Sequence, residues 1–237
     1  MRIILCDSYK EISDRAAELI CAQITLKPDC VLGLATGSSP IGMYDRLAEM
    51  NLDFSGVTTF NLDEYYPIKR DNDQSYYYFM QKHLYSRVNL RPENIHIPSG
   101  ECTDVERECR EYEEKIQASG GIDLQVLGIG MNGHIGFNEP DDSLNTKTHL
   151  TDLTESTITA NSRFFDSEDD VPKQAITMGI STILSAKKII LLASGKEKRH
   201  AISALLRDEI NTEIPATMLK VHPDVVLICD REAYGDK

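Results

Sequence analysis

The stretch GIGMNGHIGFNEP (128–140) gathers Asn132, His134 and Glu139 among four glycines. An imidazole can both accept and donate a proton near neutral pH, and a histidine set between glycines has few packing neighbours to account for it. Asn132 and His134 are separated by one residue, which puts both on the same side of an extended segment. Glu139 can reach back past the bend at Gly136 to orient or charge the ring. A second acidic group lies in FNLDEYYP (60–67), where Asp63 and Glu64 follow a strand-like run. Burial beside such a strand raises a carboxylate from about 4 toward the range useful for proton transfer.

Three further stretches suit an anion. In LATGSSPIGMY (34–44), Thr36, Gly37, Ser38 and Ser39 precede a helix whose first turn Pro40 suits. Backbone N–H groups at a helix start, together with its dipole, make a seat for a phosphate. No G-K-[ST] follows, so this is not a Walker loop. In SGKEKRHAI (194–202), Lys196, Lys198 and Arg199 gather at a helix start, where the dipole disfavours cations unless an anion is near. Arg163, in ANSRFF (160–165), is a planar bidentate donor inside an acidic segment, placed either to clamp a phosphate or to pair with Asp166 or Glu168. The chemistry these residues suggest is proton movement on a small phosphorylated metabolite, with neither cofactor nor metal. GIGMNG lacks the third glycine and the following helix of a dinucleotide fingerprint.

The elements that must position these groups alternate along the chain. Strand-like apolar runs occur at 2–6, 30–35, 57–62, 94–97, 122–130, 187–194 and 225–230. Helical spacing marks 8–26, where Ser8 and Glu11 suggest a capping box, and also 40–50, 75–88, 104–119, 173–184 and 197–207. Near-continuous apolar strands between helices predict a doubly wound, mostly parallel α/β fold: a Rossmann-like three-layer sandwich, read as a single domain over 1–237. In such sheets ligands sit beyond the carboxyl ends of the strands. The 34–44, 60–67, 128–140 and 194–202 motifs all follow predicted strands there. Residues 141–172 are polar and weakly periodic and read as a long irregular segment of the kind that serves as an active-site lid.

The 237 residues carry a net charge of −13, which argues against nucleic-acid binding but not against a small anion. The six cysteines show neither a C-x-x-C pair nor zinc spacing and read as reduced, mostly buried thiols. No apolar stretch approaches the roughly 20 residues of a membrane span. A soluble, cytoplasmic protein without membrane or nucleic-acid partners is expected.

Taken in order, LATGSSP, FNLDEY, SYYYFM, GIGMNGHIGFNEP, NSRFF with VPK, and a late strand followed by lysine resemble the glucosamine-6-phosphate deaminase (isomerase) family over nearly the whole chain. The resemblance implies conversion of glucosamine 6-phosphate and water to fructose 6-phosphate and ammonia. By position, Asp63 is similar to the family's general base, which moves a proton from C2 to C1 through an enolamine. His134 and Glu139 are similar to the pair that opens the pyranose ring, with Asn132 beside them. Gly37, Ser38 and Ser39, with Thr36, would hold the phosphate, with Arg163 and Lys198 as counter-ions. Position 132 carries Asp in some members. Where allosterically activated hexameric members hold an effector phosphate with basic residues, this chain has His149 and Thr151. A monomer or small homo-oligomer without allosteric control is therefore expected. The rival readings are a 6-phosphogluconolactonase-like hydrolase and a non-catalytic sugar-phosphate sensor.

Overall fold

The computed structural model describes residues 1–162, 165, 167 and 171–235. Its strands are β1 (Arg2–Cys6), β2 (Val31–Leu34), β3 (Thr58–Asn61), β4 (Asp63–Tyr66), β5 (Ile95–His96), β6 (Leu124–Gly128), β7 (His149–Asp152), β8 (Gln174–Thr177), β9 (Ile189–Ala193) and β10 (Val225–Asp230). Its helices are α1 (Tyr9–Leu26), α2 (Ile41–Glu49), α3 (Tyr76–His83), α4 (Val105–Ala118), α5 (Glu155–Ser162), α6 (Ile180–Leu184), α7 (Arg199–Leu205) and α8 (Arg231–Tyr234).

Seven strands form one parallel sheet in the order β1-β10-β9-β6-β2-β3-β5. Period-two alternation sends neighbouring residues of one strand into different cores. Ile189, Leu191 and Ala193 of β9 join one apolar cluster with Ile116 of α4, Ile183 of α6 and Ile202 of α7. Ile190 and Leu192 join the other, with Ile12 of α1, Met43 of α2 and Met80 of α3. Burial on both faces explains why the central strands read as unbroken apolar runs, and it establishes the three-layer sandwich. The sheet order reverses between β2 and β6, since β3 and β5 extend to one side of β2 while β6, β9 and β10 extend to the other. That switch point leaves a crevice at the carboxyl edge.

Ser8 caps α1 by accepting the Glu11 N–H at 3.2 Å, while the Glu11 carboxylate accepts the Asp7 N–H at 2.9 Å. This is a capping box whose return bond lands one residue early.

Three expectations need correction. The acidic pair at 63–64 follows a strand of the parallel sheet as expected, but it also opens an unforeseen strand, β4 of a second, antiparallel sheet ordered β4-β8-β7. Leu62 joins the two sheets, its N–H donating to Leu34 O at 2.9 Å and its carbonyl accepting the Met178 N–H at 2.8 Å. Residues 173–184 are not one helix. The β-branched run QAIT pairs on both sides as β8, and Gly179, extended at φ −78° and ψ 170°, separates it from α6. The 141–172 segment is not irregular throughout, because it contributes β7 and α5. Both depend on distant partners: β7 on β8, and α5 on an apolar cluster in which Ile158 packs with Tyr65, Phe137 and Leu153.

Candidate active site at the carboxyl edge

The β2–α2 connection supplies the anion seat. Gly37 adopts φ +90°, a conformation that favours glycine, and a Cβ there would meet nothing within 4 Å, so the turn faces open space. Ser38 is exposed and Ser39 half-buried. Pro40 precedes α2 and offers no side-chain cap of its own. Tyr9 of α1 braces the turn: its hydroxyl donates to Ser38 O and accepts the Gly42 N–H, both at 2.9 Å. With the Gly42 N–H taken by Tyr9, the remaining N–H groups at the helix start are left for an anion. The seat adjoins β6, since a Cβ on Gly128 would lie 3.6 Å from Ser39 Oγ.

Asp63 and Glu64 point to opposite faces of β4 and have different fates. Asp63 is buried, and burial together with the Glu64 charge pushes its carboxyl up to about 8. Glu64 accepts the backbone N–H groups of Tyr65 (3.0 Å), Tyr76 (2.8 Å) and Tyr77 (2.9 Å), tying the start of α3 to β4. Burial pushes Glu64 up to about 7 against the pull of those three donors. Glu64 is thus a structural anchor, whereas among the described residues no hydrogen-bond donor engages the Asp63 carboxylate.

The 128–140 loop folds as a tight turn, not an extended segment. Gly133 N–H donates to Gly130 O at 3.0 Å, and Gly130 N–H donates to His134 O at 2.9 Å. The His134 ring lies so close to Gly130 that a Cβ there would fall within 2.3–2.6 Å of three of its atoms, so only glycine leaves room for the imidazole. Asn132 and His134 still converge, because the turn closes on Glu139. His134 Nδ1 lies 3.2 Å from Glu139 Oε2, and Asn132 Nδ2 donates to the same oxygen at 2.7 Å. Asn132 Oδ1 accepts the His134 N–H at 3.2 Å. The Thr157 hydroxyl, from α5, donates to Glu139 Oε1. Burial alone would raise the Glu139 carboxyl, but the His134 hydrogen bond and charge, with Thr157 and Asn132, outweigh it and hold it at about 2.

Asp63 and the loop meet at Gly136, where a Cβ would lie 2.9 Å from Thr177 Oγ1 and 3.6 Å from Asp63 Oδ2. The structure thus unites Asp63, Asn132, His134 and Glu139, and it sets the Thr36–Ser39 turn beside them at the next strand end. Lys198 sits half-buried in a 3-10 turn beyond β9, whose neighbour is β6. Arg199 turns away from the crevice and donates from Nε to Glu232 O of α8 at 3.1 Å. Arg163 lies outside the described residues. Sequence reasoning missed Thr157 and Tyr9, and nothing in the local pattern around either residue marks it. Among the described residues no group of three or more His, Cys, Asp or Glu side chains is arranged to hold a metal ion. No described helix is long and apolar enough to cross a membrane.

Comparison with known proteins fits this geometry. A glucosamine-6-phosphate deaminase of Halothermothrix orenii is 58% identical over 237 residues, covering 98% of each chain. One from Thermoanaerobacter pseudethanolicus is 55% identical, covering 98% of this chain and 94% of its own. The solved structure of a monomeric glucosamine-6-phosphate deaminase superposes with a TM-score of 0.96 at 46% identity, covering 98% of both chains. A 6-phosphogluconolactonase from Trypanosoma brucei shares the fold, with a TM-score of 0.81 at 19% identity over 98% of this chain and 97% of its own. The family model for glucosamine-6-phosphate isomerases/6-phosphogluconolactonase matches residues 7–227, and the chain belongs to that family.

Proposed function

We propose that this chain is an enzyme that converts glucosamine 6-phosphate and water to fructose 6-phosphate and ammonia, by ring opening followed by isomerisation. The observation that carries the reading is the meeting at Gly136 of a buried, uncommitted carboxyl, Asp63, with a loop that holds a His134–Glu139 pair. The deaminases at 54–58% identity support the same activity, while the resemblance to lactonases rests on fold alone.

In this reading the imidazole of His134 carries the proton from the O1 hydroxyl to the ring oxygen O5. Glu139 orients the ring through Nδ1 and stabilises the imidazolium that forms in passing; Asn132 holds Glu139 in turn. In the open-chain sugar, the Asp63 carboxylate removes the C2 proton while O1 takes a proton from the substrate's own ammonium group, giving an enolamine. Asp63 then returns its proton to C1 on the same face as the nitrogen lone pair closes the C2 imine. The C2 imine that results is hydrolysed by water, which releases ammonia. A single carboxylate spanning two adjacent carbons needs no second base. The turn of Thr36, Gly37, Ser38 and Ser39 seats the phosphate against the start of α2, with Lys198 and Arg163 as counter-ions. Segment 141–172 acts as a lid over one catalytic domain, its β7 and α5 forming the seated part. The enzyme works as a monomer without an effector site, as the monomeric relative suggests.

The test is an ammonia-release assay on glucosamine 6-phosphate beside hydrolysis of 6-phosphogluconolactone. Ammonia without lactone hydrolysis is expected. Lactone hydrolysis without ammonia would assign the chain to the other branch of the family, and binding of the amino sugar phosphate with no turnover would make it a sensor.

A further inference from the structure

The two oxygens of Glu139 are held from different parts of the fold. Oε2 faces the 128–140 turn, with His134 Nδ1 at 3.2 Å and Asn132 Nδ2 at 2.7 Å. Oε1 is held by the hydroxyl of Thr157, which lies in the first turn of α5, 18 residues further along the chain. Both partners are buried, Glu139 at 9% and Thr157 at 7% exposure. Thr157 is itself fixed at the helix start. Its backbone N–H donates to Thr154 Oγ1 at 3.3 Å, and the Thr154 hydroxyl donates to Thr157 Oγ1 at 3.1 Å. The adjacent Ile158 and Leu153 pack into the aromatic cluster of Tyr65, Tyr76 and Phe137, which spans β4 and the 128–140 loop.

A carboxylate turns easily about its last bond, which has broad, roughly two-fold minima. One that must present a single oxygen to an imidazole needs its other oxygen held. We propose that Thr157 is a positioning residue for ring opening: its hydroxyl holds the Glu139 carboxylate in the rotation that offers Oε2 to His134. Because that hydroxyl rides on α5, the imidazole is set for proton transfer only when the 149–162 segment is seated against the loop. A hydroxyl can donate to Oε1 and accept from Thr154 at once, which no alkyl side chain of the same size can do. The inference rests on the assignment of ring opening to His134 and Glu139.

Thr157→Val and Thr157→Ser test it, measured by kcat and KM on glucosamine 6-phosphate and by the inhibition constant of a reduced, open-chain analogue that needs no ring opening. The position of the His134 Nδ1–H resonance is a further readout. Thr157→Val should lower kcat about ten- to a hundredfold, the effect of losing one hydrogen bond to a charged group. It should shift the imidazole resonance and leave analogue binding unchanged, and Thr157→Ser should restore both kcat and the resonance. Wild-type kcat in Thr157→Val would overturn the proposal. So would equal impairment of both variants, or a parallel loss of analogue binding, which would mark a structural role only. If the unmodified enzyme released no ammonia, the assignment of function would fail instead. If it does, and Glu139→Gln loses about a hundredfold in kcat while Thr157→Val keeps wild-type kcat, only the role of Thr157 fails.

Discussion

Two buried carboxyls face one crevice, and their surroundings drive them in opposite directions. Asp63 is built on the rigid part of the fold: β4 pairs with β8, and the Glu64 anchor ties the same strand to α3. Its environment supplies desolvation and a neighbouring negative charge, and the carboxyl rises to about 8. Glu139 sits on a glycine-rich turn as deeply buried, but with donors converging from Asn132, His134 and Thr157 it falls to about 2. Burial raises both; unopposed it decides Asp63, and at Glu139 it is outweighed. What separates them is whether donors were brought in with the carboxylate. In the proposed mechanism the group that takes up and releases a proton is left without donors, whereas the group that stays charged to steer the imidazole is surrounded by them. Groups pushed apart in this way are how one site comes to hold both a base and a fixed charge.

The largest effect should come from removing the uncommitted carboxyl. Asp63→Asn is expected to lower kcat by about a thousandfold or more, within the range for general acid–base catalysis. Exchange of the C2 proton with deuterated solvent should vanish by NMR, while affinity for the open-chain analogue stays within a few-fold. Retained exchange would remove Asp63 from the mechanism. Glu139→Gln should cost less, about a hundredfold in kcat, because it disturbs ring opening and leaves the C2-to-C1 step intact. An equal loss in both variants would erase the division of labour between the two regions.

The same contrast predicts opposite pH signatures. Asp63 has a native pKa above its unfolded value of about 4, so the native state holds the extra proton. Its contribution to stability is full below about pH 4 and is lost as pH rises toward 8. Glu139 has a native pKa below its unfolded value, so its contribution is present above about pH 4 and is lost as pH falls toward 2. Removing that depressed carboxylate should cost on the order of 3 kcal/mol near neutral pH, by about 1.4 kcal/mol for each unit. Urea melts from pH 3 to pH 9 should therefore flatten on the alkaline side in Asp63→Asn and on the acid side in Glu139→Gln. In the unmodified enzyme kcat/KM should rise through about pH 8, as Asp63 ionises in the free enzyme. A flat profile there would mean that another group is the base.

The parallel sheet was legible in the sequence because strands such as IILLA are buried on both faces and so leave an uninterrupted apolar run. The antiparallel sheet was not. DEYY, HLTD and QAIT are four residues each, and their ladders join positions as far apart as Asp63 and Thr177. Acidic and threonine-rich runs of that length read as loop until their distant partners are known. The site divides along the same line. His134, Asn132 and Glu139 could be found because glycines isolate them in one short stretch. Glu64 could not be recognised as a helix anchor, since its donors at Tyr76 and Tyr77 lie 12 and 13 residues on. Thr157 is one threonine among four in TDLTESTIT, and its meaning comes only from where α5 lands.

The smallest expected effect concerns Asn132, the amide that touches both members of the His134–Glu139 pair. Asn132 donates to Glu139 Oε2 and accepts the His134 N–H, so one amide orients both members of the pair. Asn132→Asp keeps the acceptor and replaces the donor by a second carboxylate beside Glu139. Two like charges at hydrogen-bond distance cannot both stay ionised easily, so one of them must retain a proton to higher pH. The added charge also favours a protonated His134, and the two consequences oppose each other in ring opening. At pH 8, where both carboxylates have ionised, kcat should change by less than about tenfold. Toward pH 5 it should fall more steeply than in the unmodified enzyme, because a proton shared by the pair cancels part of the charge that stabilises the imidazolium. A pH series of kcat for the two proteins measures this directly. A loss beyond a hundredfold at pH 8 would show that the Asn132 N–H, and not the charge of Glu139, sets the imidazole.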